Sequence, residues 1–265
     1  PPAVLLVGAA VPAAMWAPLM ARLPGHTLHA VDLPNHGLTG RVSLSTADLR
    51  PVMTGFLLDV LDGLGLDRPV LVAQSMAGLF ATWTAAEHPE RVAGISYVAC
   101  PAFVLGTSAP LPLRLLSIRP LGRLVTRMRP PSPRQAESFA AVAGEDFGPF
   151  PELRDLVIAL QGRPGYADDL VMLVHSSLTL RGARPQTAFT AEMLRSLPVP
   201  TQFVWGEADT FGSPSIGRRA SELAPGSEFH LVPGGHAPWL DDPEAVARPV
   251  GRFLERHASR RARLR

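Results

Sequence analysis

Residues 69–78 read Pro69-Val70-Leu71-Val72-Ala73-Gln74-Ser75-Met76-Ala77-Gly78, and this stretch decides the fold. Its first half is short, apolar and rich in β-branched residues, which predicts a buried strand, while the residues from Leu79 onward continue at helical spacing. A strand that enters a helix without a loop turns sharply, so we expect Ser75 to adopt a strained backbone conformation with little room around it. An ordinary strand-to-helix turn or a helix N-cap would also suit these residues.

The stretch resembles the nucleophile elbow of α/β-hydrolases, which commonly reads Gly-x-Ser-x-Gly, with alanine in place of both flanking glycines. The resemblance implies that Ser75 is a catalytic nucleophile. It also implies an α/β fold in which a mostly parallel sheet is flanked by helices. Dehalogenases and epoxide hydrolases of this family carry aspartate where Ser75 stands, so the serine disfavours those two activities.

A second motif places an acid after a predicted strand. Residues 201–205 predict the strand, and the turn Gly206-Glu207-Ala208-Asp209 follows it directly. We interpret Asp209 as the carboxylate that orients a histidine, with Glu207 as a rival in the same turn. The alternative role for Asp209 is a cap on the turn or helix around Pro214.

A third motif, Leu231-Val232-Pro233-Gly234-Gly235-His236, ends a predicted strand with a glycine pair that lets the backbone bring an imidazole inward. We interpret His236 as the general base. Along the chain Ser75 precedes Asp209, and Asp209 precedes His236, which is the order of the hydrolase fold. Each of the three follows a predicted strand, where open parallel sheets build their sites. The three motifs together therefore predict a Ser75, His236 and Asp209 triad.

The first predicted strand, residues 3–7, runs into Gly8 and small residues. The resemblance implies that the backbone N–H groups of Ala9 and Met76 form the oxyanion hole. In the family this loop often reads His-Gly-x, and Val7 replaces the histidine here. The stretch from Gly8 to Trp16 also resembles the branch that contains plant-type esterases and hydroxynitrile lyases. A plain strand-to-helix connection without a catalytic role is the alternative.

Residues 30–39 resemble the family's Asp-x-Pro-Gly-His-Gly loop, with Asn35 in place of the first glycine. In the family this loop is mainly structural. We therefore expect Asp32 and His36 to hold the loops together rather than to take part in the chemistry.

Alternating strands and helices predict a parallel sheet with right-handed crossovers. The predicted strands lie near 3–7, 27–31, 69–73, 92–99, 201–205 and 227–232, and the predicted helices near 13–23, 46–64, 76–87, 215–223 and 243–258. Residues 1–100 and 195–265 are assigned to the hydrolase core.

Residues 101–194 are predicted to form an inserted helical cap, with helical runs at 111–128, 133–143 and 167–180. In the fold such a cap covers the active site and selects the substrate. Two antiparallel strands commonly precede the first strand in the family, whereas this sequence starts almost on that strand with Pro1-Pro2. The missing initiator methionine favours a sequence that lacks its natural beginning.

Composition bounds the protein class. The 265 residues, 46% of them hydrophobic, suit one globular core with an insertion. No apolar stretch is long enough for a membrane span. The single cysteine, Cys100, excludes an internal disulfide and leaves the redox compartment undetermined, with cytoplasm as the simplest choice. Cys100 is interpreted as a buried small hydrophobe. No metal-binding or dinucleotide-binding motif is present, so no cofactor is expected.

All 25 basic residues are arginines, but the net charge is only +2. Two basic clusters are interpreted as solvated faces, although the first could attract an acidic carrier protein or an anionic substrate. The clusters are Arg114, Arg119, Arg123, Arg127 and Arg129 in the predicted cap and the arginines of 252–265 at the tail. No nucleic-acid-binding motif accompanies the charge, so a nucleic-acid partner is not expected.

The sequence therefore favours a serine hydrolase of an ester, lactone or thioester of a small to medium apolar molecule, with an acyl carrier protein as a possible partner. Two alternatives stay open. One is a lyase, cyclase or acyl transferase of bacterial secondary metabolism that keeps the triad but excludes water. The other is a ligand-binding protein on the same scaffold.

Overall fold

The computed structural model describes residues 2–45, 47–128 and 130–257. Arg129 of the first arginine cluster and the tail from residue 258 onward lie outside the described residues. Eight strands are present in the described residues: β1 (Pro2–Leu6), β2 (Thr27–Val31), β3 (Val70–Gln74), β4 (Gly94–Val98), β5 (Leu178–Thr179), β6 (Gly182–Ala183), β7 (Thr201–Gly206) and β8 (Glu228–Val232).

Six of these strands form one sheet in the order β2-β1-β3-β4-β7-β8, and every neighbouring pair is parallel. They match the predicted strands to within two residues at each end, because short apolar runs between turns mark buried strands clearly. Strands β5 and β6 form a separate antiparallel ribbon. The predicted fold class, a mostly parallel sheet flanked by helices, is confirmed.

The central strands are buried on both faces, as expected when helices cover a parallel sheet. In β3, Val70 and Val72 point into one core cluster while Leu71 and Ala73 point into the other. The edge strands β2 and β8 are less buried than the central ones. Side chains along each strand therefore alternate between the two faces of the sheet, and this alternation continues to the last residue before the loop that follows the strand.

The helices are α1 (Ala17–Met20), α2 (Leu49–Gly63), α3 (Met76–Glu87), α4 (Leu111–Leu115), α5 (Arg119–Met128), α6 (Pro133–Ala143), α7 (Pro151–Gln161), α8 (Tyr166–Ser177), α9 (Ala191–Arg195), α10 (Pro214–Leu223), α11 (Pro238–Asp241) and α12 (Pro243–Arg256). Helices α1 and α12 pack on one face of the sheet, and α2, α3 and α10 pack on the other. Three short 3-10 turns lie at Ala13–Trp16, Pro89–Arg91 and Pro185–Thr187.

Helices α4 to α9, together with β5 and β6, lie in the segment between β4 and β7. The predicted single run at 111–128 is wrong in one respect, since it divides into α4 and α5. Pro120 explains the break, because it has no N–H to continue the hydrogen bonds of α4 but is tolerated in the first turn of a new helix. Helix α7 was not predicted, although Pro151 at its first turn and Gly162 at its end are ordinary helix boundary signals.

The predicted helix at 13–23 is shorter than expected and starts as a 3-10 turn before α1. Within the described residues, no helix combines the length and the apolar character needed to cross a bilayer.

Candidate active site

Ser75 lies at the junction where β3 passes directly into α3, with φ 54° and ψ −120°. A positive φ is strained for a residue with a Cβ, so the packing around it must hold this conformation in place. The flanking Ala73 and Ala77 are fully buried. A Cβ added at Gly8 would lie 2.8 Å from Ser75 Cβ, which explains why glycine stands beside the serine.

His236 and Asp209 contact each other. His236 Nδ1 lies 3.0 Å from both carboxylate oxygens of Asp209. A carboxylate oxygen accepts this hydrogen bond, so Nδ1 carries the proton and Nε2 carries the lone pair. The rival acid Glu207 is exposed on the surface. The imidazole therefore has the tautomer that a general base needs.

Two backbone amides fix the Asp209 carboxylate, whose side chain is entirely buried. Cys100 N donates to Oδ2 over 2.8 Å, and Phe211 N donates to Oδ1 over 2.9 Å. The Phe211 ring also stacks on the His236 imidazole, with ring centroids 3.9 Å apart. Sequence reasoning missed both partners, because a backbone donor leaves no pattern in the sequence and Phe211 is one aromatic residue among many. Burial raises the pKa of the Cys100 thiol.

Ser75 and His236 line the same cavity, but the structure does not join them by a hydrogen bond. His236 Nε2 is buried and hydrogen-bonds to none of the described residues. The acid and the histidine are thus paired, and the serine lines the same cavity without a hydrogen bond to the histidine.

The proposed oxyanion donors, Ala9 and Met76, also line this cavity. The amides on either side of Ala9 are already used: Gly8 N donates to Gln74 Oε1 over 2.7 Å, and Ala10 N donates to His36 Nε2 over 3.0 Å. Met76 is the first residue of α3, where helix N–H groups lack an intrahelical acceptor.

Gln74 connects the elbow with two other loops. Besides accepting from Gly8, its side chain donates from Nε2 to the carbonyl of His236 over 3.0 Å. It is buried and directly precedes Ser75. Sequence reasoning missed this role, although a polar side chain at the end of a buried apolar strand is a usable signal.

Asp32 and His36 hold loops together, in keeping with the expectation. Asp32 accepts from Ala13 N over 2.6 Å and from Leu38 N over 2.8 Å. His36 accepts from Ala10 N at Nε2, so its Nδ1 carries the proton and donates to Pro34 O over 2.9 Å. Burial lowers the pKa of His36, which keeps the imidazole neutral and able to accept.

The cavity holds about 120 Å³ of accessible space and opens to solvent, and its walls are largely apolar. The segment between β4 and β7 supplies much of this wall, including Leu113, Phe139, Leu170 and Val174. One acidic residue of that segment, Glu145, also lines the cavity and was not predicted. Burial, before any other cause, raises its pKa to about 8.

The first arginine cluster is only partly a free basic face. Arg123 pairs with Asp168 at 2.8 Å, and Arg114 donates to the carbonyl of Leu180. Arg119 and Arg127 of α5 are exposed.

Curated relatives of this chain are esterases. A pimeloyl-[acyl-carrier protein] methyl ester esterase of Stenotrophomonas maltophilia (strain K279a) is 29% identical over 268 residues, covering 96% of this chain and 93% of the relative. A protein of the same name from Xanthomonas oryzae pv. oryzae (strain MAFF 311018) is 29% identical over 263 residues, covering 96% of this chain and 95% of the relative.

Solved structures share the fold. Carboxylesterase CesB (YbfK) from Bacillus subtilis matches with a TM-score of 0.74 at 25% identity, over 96% of this chain and 83% of that one. A thermophilic esterase from Thermogutta terrifontis matches with a TM-score of 0.76 at 20% identity, over 97% and 90%. The sequence model of the alpha/beta hydrolase family matches residues 3–248. The family expected from the elbow is thereby confirmed: the chain belongs to the alpha/beta hydrolase family and is a hydrolase.

Proposed function

We propose that this hydrolase cleaves an ester, lactone or thioester of a small to medium apolar molecule, with Ser75 as nucleophile, His236 as general base and Asp209 as the orienting acid. One observation carries the proposal. The buried Asp209 carboxylate contacts His236 Nδ1, and His236 lines one apolar cavity together with Ser75, which is held at positive φ. This arrangement gives each group the environment that its role requires.

In the first step His236 Nε2 takes the Ser75 proton as Oγ attacks the carbonyl carbon. Asp209 stabilises the resulting imidazolium. The N–H groups of Ala9 and Met76 donate to the oxyanion. His236 then returns the proton to the leaving alcohol or thiol, and an acyl-serine remains. Water attacks the acyl-serine with His236 again as base, which releases the acid and restores Ser75.

Residues 101–194 act, in this proposal, as a cap that selects the substrate. Their apolar side chains face Ser75 across the cavity. Leu113, Phe139 and Leu170 also line a second, more polar groove. Because these side chains line both spaces, we expect them to limit the length of the acyl group that fits beside Ser75.

An ester linked to an acyl carrier protein is the second candidate substrate. The curated relatives named above carry that substrate in their names. Exposed Arg119 and Arg127 of α5 offer positive charge to an acidic carrier. If they bind the carrier, the double variant Arg119→Glu/Arg127→Glu raises KM for the carrier-linked ester and leaves turnover of the free ester of the same acyl group unchanged.

The test is a panel of p-nitrophenyl and methyl esters of increasing acyl length, with the acid product identified by mass spectrometry. We expect an acid and an alcohol in equal amounts, a maximum at short to medium chains, and no turnover by Ser75→Ala. Products that together contain only the atoms of the substrate, with none added from water, would indicate a lyase or cyclase instead. Stoichiometric binding without product would indicate a binding protein.

A further inference from the structure

The backbone around His236 is held by hydrogen bonds at consecutive positions. Gly235 N donates to Asp241 Oδ2 over 3.1 Å, and Ala237 N donates to Glu145 Oε1. Between them, His236 N donates to the carbonyl of Ala143 over 3.1 Å. Two carboxyl groups therefore bind the two amides that flank the histidine.

The glycine pair before His236 makes room for these carboxyl groups. A Cβ at Gly234 would lie 2.4 Å from Asp241 Oδ2, and one at Gly235 would lie 2.7 Å from Glu145 Oε1. Gly234 also has φ +109°, a conformation that side chains disfavour. The loop is thus built to receive both carboxyl groups, rather than merely to turn.

Glu145 belongs to the segment between β4 and β7 and contacts the His236 loop from that segment. It follows the end of α6, where Gly144 adopts φ 77° and directs the chain toward the His236 loop. In the same region Thr210 Oγ1, next to Asp209, donates to the carbonyl of Val142 over 2.8 Å. Residues 142–145 therefore contact both the loop that carries the acid and the loop that carries the histidine.

The second oxygen of Glu145 requires a proton. Glu145 Oε2 is buried, and none of the described N–H or O–H groups donates to it. A buried acceptor without a donor costs free energy of folding. Protonation of the carboxyl group converts this oxygen from an acceptor into an O–H donor. The Asp241 carboxylate lies in hydrogen-bonding range of Glu145 and is itself exposed to solvent. The buried partner is therefore the one that keeps the proton.

We propose that Glu145 and Asp241 share one proton and that this carboxyl pair positions His236. The inference rests on the proposed function for its effect on catalysis, because His236 is the general base only in that proposal. Glu145 lines the cavity but makes no hydrogen bond to the side chain of Ser75 or His236, and it acts through the backbone of the histidine loop.

The charges around Glu145 favour the shared proton. Asp241 faces it from α11 and Asp209 from the loop after β7, and both negative charges add to burial in raising its pKa to about 8. The bond from Ala237 N acts in the opposite direction. His236 lines the same cavity, and the neighbouring Asp146 uses its carboxylate to accept from Gly148 N. Above this pKa both carboxyl groups are ionised and repel each other. The histidine loop then loses the support of the carboxyl pair.

Three variants test the proposal. Glu145→Gln is neutral at every pH, accepts from Ala237 N and donates to Asp241. Glu145→Ala removes both contacts. Glu152→Gln makes the same chemical change at an exposed position of α7 and serves as the matched control. Each is measured for kcat and KM on one neutral ester from pH 6 to pH 9.5, and for amide hydrogen exchange of residues 235–237.

We expect Glu145→Ala to lower kcat about 10- to 100-fold at nearly unchanged KM, because a displaced base costs rate without weakening substrate binding. Its exchange at residues 235–237 should rise. The wild type and Glu152→Gln should lose kcat as pH passes through about 8. Glu145→Gln should retain most of the kcat at pH 7 and show no such loss.

Wild-type kcat and exchange in Glu145→Ala, or an unchanged alkaline loss in Glu145→Gln, would overturn the proposal. If Glu145→Ala does not fold, as judged by circular dichroism, the comparison of Glu145→Gln with the wild type decides alone. Failure of the proposed function is seen separately, as turnover by Ser75→Ala. Amide exchange of residues 235–237 does not depend on Ser75. It therefore still tests whether the Glu145–Asp241 pair holds the loop, even if the proposed function is wrong.

Discussion

At the scale of single residues, the site depends on backbone atoms as much as on side chains. Ser75 is held at φ 54°, and Asp209 is fixed by the N–H groups of Cys100 and Phe211. A strained residue of this kind costs about 1–3 kcal/mol, which the surrounding packing must offset. The reacting groups are therefore positioned by structure that contributes no chemistry of its own.

The strain at Ser75 predicts an unusual ranking of stability. Glycine tolerates positive φ, so Ser75→Gly should be about 1 kcal/mol more stable than Ser75→Ala, even though glycine has the larger unfolded-state entropy. Urea unfolding measures the difference. Ser138, exposed inside α6, is the control, because glycine there should be the less stable variant by a similar amount. The same ranking at both positions would argue against strain at Ser75.

The choice between the two acids of the β7 turn is a second residue-scale prediction. Asp209→Asn should lower kcat by about 10³- to 10⁴-fold, because an amide does not hold the imidazole in its reactive tautomer or stabilise its cation. Glu207→Gln, at an exposed position, should leave kcat nearly unchanged. Steady-state kinetics on one ester, with melting curves for folding, measures both. A larger loss in Glu207→Gln would move the role to Glu207.

At the scale of elements, the site is assembled where strands end and helices begin. Helix α11 presents Asp241 to the histidine loop, and α12 starts directly after it. The start of α12 is fixed by Asp242, whose Oδ1 accepts from Ala245 N over 2.8 Å. The Asp242 side chain that caps the N-terminus of α12 thus lies close in sequence to the loop that carries His236.

Loss of this cap should destabilise the protein. We expect Asp242→Ala to lower the free energy of unfolding by about 1 kcal/mol, because a helix N–H loses its acceptor. Asp242→Ser, which keeps a capping oxygen, should recover most of the loss. Equal stability of the two variants in urea unfolding would show that the helix N-cap at Asp242 contributes little to stability.

At the scale of the whole molecule, two buried groups give the stability opposite dependences on pH. His36 has a lowered pKa when folded, so stability falls as pH drops below about 6.5, where the unfolded chain takes up a proton that the folded one does not. Glu145 has a raised pKa, so its contribution is complete below the unfolded value and is lost as pH rises toward about 8.

Between about pH 6.5 and 8 only the Glu145 effect remains. The free energy of unfolding should therefore decline across this range, by at most about 1.4 kcal/mol per pH unit for one proton. Urea unfolding at pH 6.5, 7.2 and 8 measures the slope in the wild type and in Glu145→Gln. Glu145→Gln should not show this decline in the free energy of unfolding. An identical slope in both proteins would show that other titrating groups cause the decline.

The sequence predicted the sheet well, and the shared location of the three candidate site residues has the same physical reason. Short apolar runs mark buried strands, and Ser75, Asp209 and His236 each follow such a run, so the parallel topology brings them to one edge. The contacts of Gln74 and Glu145 were missed. Those depend on how the loops and the segment between β4 and β7 fold back over the sheet, and no local pattern encodes that placement.

The most direct test of the account is covalent labelling with a fluorophosphonate probe, which reacts only with an activated serine. Mass spectrometry of the labelled protein and its peptides should show one adduct, located on Ser75, and none in Ser75→Ala. His236→Ala should react much more slowly than the wild type. An adduct that persists in Ser75→Ala, or labelling of the wild type at another residue, would contradict the assignment of Ser75 as the nucleophile.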